Sequence, residues 1–90
     1  MNDKEIWTVY YHRDLEKEIR RLPKPHIRHI LEAIETLAVN PKPGNSKKIK
    51  GHDLWRIRVG VYRILYSIDE ENRIINSYLV GHRKAIYRNL

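Results

Sequence analysis

The sequence predicts an α+β domain, and three observations predict it. First, Trp55, Ile57 and Val59 alternate with Arg56 and Arg58, and Tyr62, Ile64, Tyr66 and Ile68 alternate with Arg63, Leu65 and Ser67. This is the period-2 signature of two half-buried strands. Second, Leu15, Ile19 and Leu22, followed by Ile27, Ile30, Leu31, Ile34, Leu37 and Ala38, recur at helical spacing. Third, the two kinds of pattern are segregated along the chain, which favours helices gathered on one side of an antiparallel sheet. The expected order is β-α-α-β-β-β: an antiparallel meander sheet with a helical hairpin packed on one face, in a single domain spanning 1–90.

Each element has its own justification. Ile6 to Tyr11 is rich in β-branched and aromatic residues and reads as the first strand. From Asp14 the spacing changes to that of a short amphipathic helix, which Pro23 stops. Pro25 suits the first turn of a second helix, which Asn40-Pro41 ends. The stretch 41–46, with two prolines and a glycine, reads as a loop, and Lys47, Lys48 and Lys50 continue it as a mobile basic segment. Gly60-Val61 then joins the two alternating runs. If it is a two-residue loop with glycine first, as a type II′ turn prefers, Val59 faces Tyr62, Arg58 faces Arg63 and Ile57 faces Ile64. A longer turn with another register is the alternative. Asp69 to Asn72 is a polar turn, and Arg73 to Val80 reads as the last strand.

Composition narrows the function classes. Ninety residues without cysteine make one small domain with no disulfide, which points to a reducing, cytoplasmic compartment. No apolar run approaches the roughly 20 residues of a membrane span, and the first thirty residues are too charged for a signal peptide. The net charge of +7 is unevenly placed: residues 1–40 are balanced, with seven acidic and seven basic side chains. Residues 41–90 carry eleven Lys and Arg against Asp53, Asp69, Glu70 and Glu71. A basic excess confined to one half is the footprint of a protein that meets a polyanion, nucleic acid first among them. An acidic protein partner fits the same field.

The hairpin sharpens this. Arginines 58 and 63 directly opposed across a ladder repel, and a bound anion is the natural reason to tolerate them. In a meander, the residues just beyond the last strand return beside the start of the strand before it, so Arg83 approaches Arg63. Two guanidinium groups offer planar forks of donors to one phosphate. Lys47, Lys48, Lys50, Arg56 and Arg58 would contact a nucleic-acid backbone. His26 and His29 have no metal-ligand spacing and read as surface residues, and neighbours His52 and Asp53 point apart too readily to be an acid–base pair.

The motifs Leu54-Trp-Arg-Ile-Arg-Val, Gly60-Val-Tyr-Arg-Ile-Leu-Tyr66 and Val80-Gly-His-Arg-Lys-Ala-Ile-Tyr87, with the spacing between them, resemble the RelE toxins of the RelE/ParE superfamily across nearly the whole chain. The resemblance implies the toxin of a type II toxin-antitoxin pair. It further implies a ribosome-dependent endoribonuclease that cuts messenger RNA in the A site, and a cognate acidic antitoxin that forms a hetero-oligomer with it. The family's strand arginine matches Arg63, the arginine after Val-Gly-x matches Arg83, and the closing tyrosine matches Tyr87. The basic pair on the preceding strand, often lysine in RelE, is Arg56 and Arg58. The chain departs from the family in a shorter interval from Gly81 to Tyr87 and in ending almost at once after it. Lys47 stands near the place where some relatives keep a glutamate base.

On this reading the ribose 2′-hydroxyl attacks the adjacent phosphate, without metal or cofactor. Arg63 and Arg83 would hold the phosphorane, and Tyr87 would orient the nucleotide or take the proton. His82, with imidazole chemistry suited to proton transfer near neutrality, is a rival acid or base. Few acidic residues lie beyond residue 40, which argues against a metal-dependent nuclease. Two alternatives remain: a ParE-like gyrase poison with no nuclease activity, and a non-catalytic RNA-binding relative.

Overall fold

Gly60 sets the register on which the sheet is built. In the computed structural model, which describes residues 6–90, its φ is +60°, while Val61 keeps an ordinary negative φ. That pair of signs belongs to a type II′ turn, whose twist matches that of the flanking strands. The turn joins β3 (Trp55–Val59) to β4 (Tyr62–Asp69), with Val59 opposite Tyr62, Arg58 opposite Arg63 and Ile57 opposite Ile64. The two-residue loop is therefore the one adopted. β5 (Ile74–His82) pairs antiparallel with β4 and completes the meander.

The sheet extends beyond the meander at both edges, and here the structure corrects the sequence-based expectation. β1 (Thr8–Tyr11) pairs parallel with β5, Thr8 beside Ile74 and Tyr11 beside Ser77, so the sheet is mixed. Lys47 and Lys48 are not in a mobile loop. They belong to a short strand, β2 (Ser46–Lys48), which runs antiparallel to β3 at the opposite edge. Three residues are too few to show alternation. What fixes them is the chain on either side: Asn45 accepts the Arg58 amide at 3.2 Å and donates its Nδ2 to the Arg58 carbonyl at 2.9 Å. Beyond the strand, the Ile49 amide donates to the Leu54 carbonyl at 2.9 Å. The resulting strand order is β1-β5-β4-β3-β2.

Two helices, α1 (Arg13–Arg21) and α2 (Lys24–Thr36), cover one face of this sheet. The N-cap of α1 is His12, whose Nδ1 accepts the Asp14 amide at 3.3 Å. Leu15 and Ile19 of α1, and Ile30, Ile34 and Leu37 from α2 and its C-cap, meet Ile57, Ile64, Tyr66, Ile75 and Val80 of the sheet in one core. Each buried aliphatic side chain of this kind contributes about 1.5–3 kcal/mol. The way back from α2 to the sheet is fixed at two points. Trp7 donates its amide to the Ala38 carbonyl, and the buried Tyr66 donates its hydroxyl to the Pro41 carbonyl, both at 2.7 Å.

The other face carries a different set. Partners in a ladder share a face and neighbours along a strand alternate. Arg58, Arg63 and Gly81 therefore form one row on the open face, and Lys47, Arg56, Leu65 and Leu79 form the next. A bulge follows: Leu65 stands opposite Leu79 but Tyr66 opposite Ser77, leaving Tyr78 as the extra residue. Its hydroxyl accepts a hydrogen bond from the Ser67 hydroxyl at 3.2 Å. A single 3-10 turn, Ile86–Asn89, follows β5, and Ile86 is buried outside the main core.

Candidate active site

The register gathers the basic residues at one end of the open face. Arg58 and Arg63 sit side by side at the hairpin turn, with Gly81 next in the row. Arg83 lies beyond the end of β5, where its amide donates to the Val61 carbonyl at 2.8 Å. Arg83 thus stands opposite Val61 beside the turn, two positions along from the Arg63–Gly81 pair. Tyr87 belongs to the 3-10 turn and is exposed, and its neighbour Ile86 seats that turn against Gly81. Gly81, opposite Arg63, is thus the point where the hairpin and the C-terminal segment meet. Among the described residues, no hydrogen bond or ring contact links the side chains of Arg63, Arg83 and Tyr87.

Two of the guanidinium groups are held by backbone carbonyls. Arg63 donates from Nη1 to the carbonyls of Gly60 and Tyr62, at 3.1 and 2.9 Å. Arg56 donates from Nη1 to the Asn45 carbonyl at 3.3 Å, the same oxygen that takes the Arg58 amide. Among the described residues, none of Arg56, Arg58, Arg63 and Arg83 is ion-paired with a carboxylate. Uncompensated like charges this close raise the local potential and favour an anion, most of all one with several oxygens.

The remaining residues expected to contact nucleic acid divide by face. Lys47 pairs with Arg56 and shares the open face. Lys48 pairs with Trp55 and so belongs to the side of the sheet that the helices cover. Lys50 is exposed just outside β2. His82 pairs with Tyr62, one step out of phase with Arg63 and Gly81, and so falls on the helix side. Its ring stands edge-on to Tyr62 at 6.5 Å, and Tyr62 meets His26 of α2 in the same way at 5.0 Å. Among the described residues, no group of three or more His, Cys, Asp or Glu side chains is arranged to hold a metal ion.

Two contributors were not legible in the sequence. Asn45, which reads as loop, fixes both the backbone of Arg58 and the guanidinium of Arg56. The only hint is its position, just before basic residues that alternate with apolar ones. The second is a groove of about 490 Å³ beside the C-terminal half of β5. There β1 has ended, and the α1 side chains Asp14, Lys17, Glu18 and Arg21 face Leu79 to His82. It lies beside the basic end of the open face rather than within it.

A small mixed sheet with a helical hairpin on one face and a basic cluster on the other defines the class, and comparison with known proteins makes it specific. Residues 6–87 match the family model described as the ParE toxin of the type II toxin-antitoxin system. The RelE1 relative from Methanocaldococcus jannaschii, itself named only as a candidate toxin, is 32% identical over 87 residues, covering 92% of this chain and 97% of that one. The RelE–RelB complex from Pyrococcus horikoshii contains a similar chain, with a TM-score of 0.79 and 31% identity over 87% of this chain and 96% of that one. The toxin-antitoxin complex RelBE2 of Mycobacterium tuberculosis gives a TM-score of 0.74 and 26% identity, covering 87% and 99%. The chain belongs to the RelE/ParE family of type II toxin-antitoxin toxins. Among the described residues, no helix is long and apolar enough to cross a membrane.

Proposed function

We propose that this toxin is a ribosome-dependent endoribonuclease that cuts messenger RNA in the A site and so stops translation. The observation that carries this reading is the juxtaposition of Arg58, Arg63 and the Arg83 backbone at one corner of the open face, none of them neutralised by a carboxylate among the described residues. The 2′-hydroxyl oxygen forms a bond to the adjacent phosphorus, and the bond from phosphorus to the 5′-oxygen breaks. The hydroxyl proton leaves to a base, and a proton reaches the departing oxygen. The products are a 2′,3′-cyclic phosphate and a free 5′-hydroxyl. Arg63 and Arg83 hold the doubly charged phosphorane; removing one such preorganised donor typically costs about 3–4 kcal/mol of barrier. Tyr87 orients the reacting nucleotide. Lys47, Arg56 and Arg58 hold the RNA backbone, with Lys48 and Lys50 at the edge. Contacts of that kind give affinity without sequence preference and weaken steeply with salt.

The chain would be held in check by an antitoxin, since the similar chains from Pyrococcus horikoshii and Mycobacterium tuberculosis were solved as toxin-antitoxin complexes. An acidic segment suits the cationic face. A second reading, a gyrase poison, is favoured by one observation, the ParE description of the matching family model.

Primer extension on a message held in a ribosome with an empty A site separates the two. Purified toxin should create a new 5′ end within the A-site codon, and Arg83→Ala should abolish it. An intact message at high toxin excess, in ribosomes matched to the source, would overturn the proposal and make DNA cleavage by gyrase the next assay.

A further inference from the structure

We infer that His82 is a positioning residue: its Nδ1 acts as a fixed hydrogen-bond acceptor that shapes the turn presenting Arg83, and it does not transfer protons. The inference deepens the proposed nuclease reading and rests on it for the role of Arg83.

Three observations meet at this side chain. Nδ1 of His82 accepts the Lys84 amide at 3.1 Å, and the carbonyl of His82 accepts the Ala85 amide at 2.9 Å. The turn over Arg83 is thus closed twice by one residue. A side-chain acceptor taking the amide two residues on is the arrangement by which Asn and Asp mimic a backbone turn. The chain uses it a second time, where Nδ1 of His12 takes the Asp14 amide at the start of α1. The ring of His82 is also placed, edge-on to Tyr62, which is itself edge-on to His26 of α2. Finally, His82 is in register with Tyr62, so its side chain leaves the sheet on the face opposite Arg58 and Arg63.

The chemistry follows from the acceptor. An imidazole whose Nδ1 accepts an amide carries its proton on Nε2. Its lone pair already serves the backbone. Asparagine offers an oxygen in nearly the place of Nδ1 and can close the same turn, although it cannot act as an acid or base. Glutamine, one methylene longer, cannot close it.

The test compares His82→Asn, His82→Gln and His82→Ala. Nitrogen-detected NMR of the wild-type toxin should show His82 as the Nε2–H tautomer. The Lys84 amide should be protected from solvent exchange in wild type and His82→Asn and exchange freely in the other two. In the ribosome assay, kcat should fall roughly tenfold or more for His82→Gln and His82→Ala with KM little moved, the size expected for one lost positioning hydrogen bond, and most of that loss should be recovered in His82→Asn. An Nδ1–H tautomer, or a His82→Asn protein as impaired as His82→Ala, would overturn the inference; the second result would return His82 to proton transfer. If wild type cleaves nothing, the nuclease reading falls, while tautomer and amide exchange still decide whether His82 builds the turn.

Discussion

Ile86 lies so close to Gly81 that a methyl group on the glycine would stand 3.0 Å from Ile86 Cδ1. The C-terminal turn therefore reaches the sheet only because the residue opposite Arg63 has no side chain. Gly81→Ala should push Ile86 back. We expect it to cost about 1–2 kcal/mol, in the range of modest overpacking, and to loosen the segment carrying Tyr87. Ile86→Val removes the clashing methyl, so the double variant should recover much of the loss. Urea unfolding of the four proteins gives the coupling directly, and an additive cycle would show that the contact does not matter.

The opposed arginines predict a conflict between stability and binding. Arg58→Gln relieves a like-charge pair and should stabilise the free protein by up to about 1 kcal/mol at low salt. The gain should shrink as salt rises, because exposed charges are screened within roughly 10 Å at 0.1 M. On the proposed nuclease reading, the same substitution should weaken RNA binding and flatten its salt dependence. Thermal unfolding and binding titrations at two salt concentrations check both halves.

Ser77 is fully buried in the helix-side core, and its hydroxyl has no hydrogen-bond partner among the described residues. Ser77→Ala removes a polar group that buries without compensation and should raise stability by about 1 kcal/mol. A measured loss would mean that the hydroxyl has a partner in solution.

Tyr66 supplies a dependence on alkaline pH. Burial pushes its phenol above the ordinary value near 10. A group whose folded value is raised holds its full contribution below the unfolded value and loses it as pH rises through the folded one. Stability should therefore fall above about pH 10, and Tyr66→Phe should remove this part of the fall. Near neutral pH the same variant should cost about 1 kcal/mol, because the Pro41 carbonyl loses its donor.

Asp69 supplies the acid counterpart. Hydrogen bonds from the Asn72 side chain and amide hold its carboxyl below the ordinary value. Here the contribution is present above the unfolded value near 3.9 and is lost as pH falls through the folded one. Carbon-detected titration should place Asp69 below a typical aspartate, and Asn72→Ala should bring it back up.

The sequence made some of this legible and hid the rest, for physical reasons. The register of the hairpin could be read because a two-residue turn with leading glycine leaves one pairing that keeps Trp55, Ile57, Ile64 and Tyr66 on a single face. The two helices were readable from apolar spacing and from the prolines that bound them. β2 was hidden because its pairing is imposed by Asn45 and Leu54 from outside it, not by its own residues. The parallel pairing of β1 was hidden because partners so far apart in sequence leave no local pattern. In the site, the return of the segment after β5 beside the hairpin turn could be read from the meander, and the Arg83 amide meets the Val61 carbonyl there. The face of His82 could not, since it depends on where β5 ends and on an acceptor bond within the following turn.

The parallel ladder between β1 and β5 has a consequence for how the protein comes into being. Among the described residues, the first strand of the chain has the last strand as its sole partner in the sheet. A partly synthesised chain can form its helices and, later, its hairpin, but Thr8 to Tyr11 must wait until Ile74 to Ser77 have been made. His82 and Arg83 come later still, after Gly81. Closure of the sheet and completion of its basic corner are thus the same late event, and an unfinished chain has neither.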